Sequence, residues 1–114
     1  MEQLADRLPC GSLVLRKKDL RNLTSPKALS YTEDPDPMVW ARFFDIYHRK
    51  GWTWYAMAYE EDRRVFWGYV EGFANEWGSW YLDDFLRPLR GMRGIGIERD
   101  LSFIPCRLSE AKER

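Results

Sequence analysis

The chain has 114 residues, a length that suits one domain with one core. Lys+Arg and Asp+Glu both total 18, so the formal net charge is zero, and the overall basic footprint of a duplex nucleic-acid binder is absent. Aromatic residues make up 16% of the chain, six each of Trp, Tyr and Phe, a heavy load for so small a domain; some rings are expected at the surface or in a groove, where they would mark a binding surface.

Residues 1–9, MEQLADRLP, are polar and lack the apolar centre of a secretory signal, and no apolar run is long enough to span a bilayer. Leu4 and Leu8, spaced i, i+4, predict a short amphipathic helix over residues 2–8, ended by Pro9 and Gly11. The cysteines, Cys10 and Cys106, match no zinc or redox spacing, and with no signal the expectation is a cytoplasmic protein with free thiols and no disulfide. Residues 12–34 combine a short apolar run, Leu13 to Leu15, with the basic cluster Arg16, Lys17, Lys18 and Arg21; a short helix over Asp19–Leu23 stops before Pro26. In TEDPDP, Pro35 and Pro37 remove backbone donors and force an extended path.

The first strand is predicted over Met38–Ile46, with Val39, Ala41 and Phe43 on one face and Trp40, Phe44 and Ile46 on the other, alongside Arg42. HRKG turns the chain into a second strand, Trp52–Glu60, with Thr53, Tyr55, Met57 and Tyr59 on one face. Glu61–Arg63 makes a hairpin into a third strand, Val65–Phe73, where Gly68 and Gly72 signal a bulge or the close approach of a backbone or ring. NEWG (75–78) reads as a turn, Ser79–Leu82 as a short fourth strand, and Leu82–Leu89 as a helical turn limited by Pro88. The glycine-bearing loop GMRGIG (91–96) leads into IERDLSF, with Ile97, Leu101 and Phe103 as core candidates, and the charged tail over residues 107–114 is expected to fray. The expectation is a single α+β domain: an antiparallel meander of about four strands with short flanking helices.

In order, DPMVWARFF, GWTWY, FWGYVEGF, NEWG, LDDF, RGMRGIG and IERDLSF resemble the uncharacterised bacterial family labelled domain of unknown function 2958, small single-domain proteins often carried on mobile elements. The resemblance covers roughly residues 35–110 and rests on the pairing of FWGYVEGF with IERDLSF. Residues 1–34 are a divergent lead-in, and Gly96 stands where a proline is common. The family carries over no catalytic residues; its setting implies a modulator of a host protein.

For chemistry, Glu98-Arg99-Asp100 either polarises a ligand beside a pocket or is a structural ion-pair motif, with Arg99 forking to carboxylates and pinning the 91–96 loop; the structural role is the commoner one. Glu71, Glu76, Asp83 and Asp84 are candidate acids for a small carboxylate-dependent hydrolase, but that needs two carboxylates about 5–10 Å apart across a cleft. Asp83 and Asp84 more simply complement the start of a helical turn. His48, the single histidine, sits in a basic turn, and GMRGIG lacks the lysine and Ser/Thr of a P-loop. No catalytic residue, metal or cofactor is assigned, and enzyme is the weakest class.

Trp52, Trp54, Tyr69 and Trp80 form the candidate binding surface. They can be protein anchors, core residues, or a stacking platform for single-stranded bases flanked by Arg42, Arg63 and Arg64. The acids Glu60, Glu61, Asp62, Glu71 and Glu76 oppose a nucleic-acid strand. A non-enzymatic protein-interaction module with a protein partner ranks first, nucleic acid second; self-association through an exposed strand is also open, and no membrane is expected.

Overall fold

A computed structural model describes residues 7–8, 13–45, 51–86 and 97–114. Strand β1 (Met38–Val39) is followed by β2 (Ala41–Asp45), β3 (Trp52–Glu60), β4 (Val65–Glu71), β5 (Asn75–Tyr81), β6 (Ile97–Arg99) and β7 (Cys106–Arg107). Five of them make one antiparallel sheet in the order β5-β4-β3-β2-β6, and β1 pairs with β7 in a second, two-stranded sheet. Short helices α1 (Lys17–Leu23), α2 (Pro26–Leu29), α3 (Leu82–Leu86) and α4 (Leu108–Ala111) complete an α+β architecture. Among the described residues no helix is long and apolar enough to cross a membrane.

The two faces of the sheet carry separate cores. On one, Leu15 and Leu23 from the α1 region and Leu82 and Phe85 from α3 bury Ala41, Phe43, Ala56, Tyr59, Phe66 and Ile97. On the other, Leu108 and Ala111 of α4 pack with Val39, Tyr55, Met57 and Cys106. Apolar cover on both sides explains why β2 and β3 do not alternate cleanly between apolar and polar.

Two face assignments change for one physical reason, an interruption of the two-residue period. The predicted Met38–Ile46 strand breaks at Trp40, where the chain passes from β7 to β3 and the Trp40 N–H donates to the Ala56 carbonyl at 2.9 Å. Val39 therefore joins the second core while Ala41 and Phe43 join the first. In β3 the register jumps, with Ala56 opposite Gly68 and Ala58 opposite Trp67, so Met57 is the extra residue of a β-bulge. Tyr55 and Met57 stay on the second face, but Tyr59 crosses to the first. Gly68 is needed there: a Cβ on it would lie 1.9 Å from the Tyr55 carbonyl oxygen.

NEWG is strand, not turn. β5 runs from Asn75, pairing residue for residue with β4 from Glu71↔Asn75 to Val65↔Tyr81, and the reversal falls on 72–74. The β3–β4 turn extends to Arg64, whose φ of 56° supplies the left-handed residue that closes such hairpins. The helix predicted over Asp19–Leu23 begins at Lys17, because the Asp19 carboxylate reaches back to accept from the Arg16 N–H at 2.8 Å. The tail predicted to fray is docked: β7 pairs with β1, Leu108 and Ala111 are buried, and Asp36 accepts from the Ser109 N–H and hydroxyl at 2.9 and 2.7 Å. The predicted 2–8 helix, His48, Pro88, the 91–96 loop and Cys10 lie wholly or largely outside the described residues. Cys106 is a free, buried thiol.

Candidate functional site

On the first face, rings from four elements form a continuous path. Trp52 and Trp54, two apart on β3, project to the same side and stack at 5.9 Å with 28° between planes. Phe73, carried by the β4–β5 turn, meets Trp52 edge-on at 5.2 Å. Phe85 of α3 meets Trp54 edge-on at 5.2 Å and Trp80 of β5 at 6.1 Å. Gly72 makes room for this packing, since a Cβ there would fall 2.5 Å from the Trp52 ring. Together with Ile97, Asp45 and Asp84, these side chains line a cavity of about 340 Å³. Asp45 is buried and Asp84 exposed.

The structure brings Trp52, Trp54 and Trp80 to this cavity and leaves Tyr69 on the opposite face. Tyr69 packs there against Trp77 at 5.2 Å and Tyr55 at 6.3 Å, with the Lys112 ammonium 5.0 Å from its ring centre. Trp80 is largely a core residue, 8% exposed and stacked on Phe66 at 5.5 Å. Phe73, at 91% exposure, is the most exposed large apolar side chain of the described residues. Sequence reading missed it by placing it inside a strand; the available signal was the glycine before it, a turn residue. Phe85, Ile97, Asp45 and Asp84 are brought to the cavity by tertiary packing; the sequence singles out Asp84 as a candidate acid and Ile97 as a core candidate, but nothing in it joins them to the tryptophans.

Glu98, Arg99 and Asp100 diverge. Arg99 turns into the first core, where its Nη1 donates to Asp19 Oδ2 at 2.5 Å and to the Val14 carbonyl at 3.0 Å. Asp100 accepts from Arg42 Nε at 3.0 Å and from the Ser102 hydroxyl at 2.9 Å. Glu98 pairs in register with Phe44. Burial works to raise the Asp19 and Asp100 pKa values, but the hydrogen bonds from Arg99 and Arg16 to Asp19, and from Arg42 and Ser102 to Asp100, outweigh it and hold both below the usual carboxylate range. Burial first, then donation to Glu71 Oε1 at 2.8 Å, pushes the Tyr55 hydroxyl well above the ordinary tyrosine value.

The arginines flanking the aromatic residues are each held by a carboxylate. Arg42 binds Asp100, Arg63 binds Glu60 at 2.7 Å, and Arg64 binds Asp83 at 2.8 Å. Among the described residues no group of three or more His, Cys, Asp or Glu is arranged to hold a metal ion. No family model matches this chain, and no curated protein or solved structure matches it either.

Proposed function

We propose that this protein is a non-enzymatic protein-interaction module whose aromatic cavity receives an apolar side chain from a partner. The observation that carries this reading is the ring path: Trp52, Trp54, Phe73, Trp80 and Phe85 around one cavity of about 340 Å³. Rings already held by one another lose little freedom on binding, and Trp-rich desolvated pockets are where interface energy concentrates. A nucleic-acid strand is disfavoured at this cavity, because Arg42, Arg63 and Arg64 are engaged elsewhere and Asp45 and Asp84 would face its phosphates. The resemblance to domain of unknown function 2958, with its mobile-element setting, makes a host protein the partner class. One observation favours a second reading, a carboxylate-dependent hydrolase: Asp45 and Asp84 line the same cavity as three tryptophans.

The test is capture from host lysate, nuclease-treated and untreated in parallel, on immobilised wild type, Trp52→Ala and Trp67→Ala, all shown folded by near-UV circular dichroism. The expected result is one protein retained by wild type and Trp67→Ala and lost by Trp52→Ala. Retention by Trp52→Ala overturns the cavity as the binding site, and binding abolished by nuclease in wild type transfers the surface to nucleic acid. Glycan hydrolysis abolished by Asp84→Asn would support the hydrolase instead.

A further inference from the structure

β5 is an edge strand with one hydrogen-bonded neighbour among the described residues. Its ladder to β4 is bracketed by two bonds outside the strands, Leu82 N–H to the Arg64 carbonyl at 2.8 Å and Gly72 N–H to the Ala74 carbonyl at 3.2 Å. Both belong to the register that runs from Val65↔Tyr81 to Glu71↔Asn75. Antiparallel ladders alternate bonded and non-bonded pairs, so Glu76, Gly78 and Trp80 bond to β4, while the N–H and C=O groups of Asn75, Trp77, Ser79 and Tyr81 point away from the sheet. All four of those residues are exposed, Trp77 by 51% and Tyr81 by 58%. Natural edges are commonly protected by lysine, proline or a bulge; this one carries none of them and a single charge, Glu76.

We propose that β5 pairs with β5 of a second copy of this chain, antiparallel, about a two-fold axis through Gly78. A second copy satisfies this register along the whole strand. With Gly78 opposite Gly78, Asn75 falls opposite Tyr81 and Trp77 opposite Ser79, so every outward-pointing backbone group of one copy meets an outward-pointing group of the other. A shift by one residue would set outward groups against residues already bonded to β4. The single charge, Glu76, comes opposite Trp80 of the other copy and not opposite its own counterpart, so no like charges face each other. Trp77 and Tyr81 acquire cross-strand neighbours, and the two sheets merge into one continuous sheet. A seven-residue edge makes a small interface, below about 1,200 Å². The dimer is therefore weak and concentration-dependent.

The self-opposition of Gly78 supplies a register-specific test. A Cβ on Gly78 would meet nothing within 4 Å in the single chain, so Gly78→Lys and Gly78→Glu can fold as monomers. Across the two-fold each would place like charges directly opposite. Sedimentation equilibrium should give a monomer–dimer equilibrium for wild type, monomers for each variant alone, and dimers when the two variants are mixed. Amide exchange read by NMR supplies a check that needs no variant: the amides of Trp77, Ser79 and Tyr81 should gain protection with concentration, while those of Glu76, Gly78 and Trp80 stay protected throughout. Wild type that remains monomeric at the highest attainable concentration overturns the proposal. So does a dimer that survives in either charged variant alone, or one formed without added protection at Trp77, Ser79 and Tyr81.

Discussion

Arg99 and Asp19, 80 positions apart in the chain, meet in the first core with side chains 2% and 4% exposed. This contact fastens the lead-in to the sheet: Arg99 belongs to β6, Asp19 to α1, and the same guanidinium group takes the Val14 carbonyl. Removing one member of a buried pair costs about 3–5 kcal/mol when the other is left uncompensated, and Asp19 keeps its bonds from Arg16, so the lower end of that range applies. Arg99→Ala is expected to lower stability by that amount in urea unfolding, with Arg99→Lys recovering only part, since a lysine side chain ends one bond short of the Nη1 position that makes both contacts. An unchanged midpoint would show the pair to be dispensable.

Asp19 also sets a pH dependence. Its folded pKa lies below the ordinary value of 3.8, so the unfolded chain takes up the proton first as pH falls. Its contribution is intact above about pH 5 and is lost as pH drops through the folded value. Asp100 shifts the same way and acts in the same window. Unfolding midpoints measured against pH should fall steeply on the acid side for wild type and more gently for Asp19→Asn.

Gly68 of β4 and Gly72 of the turn that follows it should respond differently to a methyl group. At Gly68 the added carbon meets backbone, the Tyr55 carbonyl, which cannot move without breaking the bulge; Gly68→Ala is expected to cost several kcal/mol, on the order of the largest single-site effects. At Gly72 it meets the Trp52 ring, which can swing aside. Gly72→Ala should keep the fold and change tryptophan fluorescence and near-UV dichroism as the Trp52–Trp54 stack opens.

Among the cavity tryptophans, Trp80→Ala and Trp52→Ala separate packing from binding. Trp80 is buried against Phe66, so its truncation should cost about 3–5 kcal/mol, the usual range for a large core aromatic. Trp52 is half-buried at the cavity, and its truncation should reduce stability less while abolishing partner capture. Equal destabilisation by both would make Trp52 a core residue.

The strands Trp52–Glu60 and Val65–Glu71 were legible because β-branched and aromatic residues fill them and polar residues punctuate their ends. The close approach at Gly68 was legible too, since a glycine inside a strand implies something close where a side chain would be; Gly72 also has a ring beside it, but it opens the turn after β4. What the linear order could not carry was parity. A break at Trp40 and one extra residue at Met57 each reverse which side the following residues face, and both arise from which strand pairs with which. NEWG resembles a turn because it is polar and contains glycine; pairing with β4 makes it strand.

By itself the chain determined an α+β domain with an antiparallel sheet and too many rings for one core, because propensity and composition are local and additive. Only the tertiary structure decided that Trp52, Trp54 and Trp80 share a cavity with Phe73 and Phe85, that Tyr69 lies on the other face, and that Arg99 answers to Asp19. Those outcomes depend on strand register and on contacts between distant segments, where one inserted residue or one buried charge outweighs any pattern along the chain.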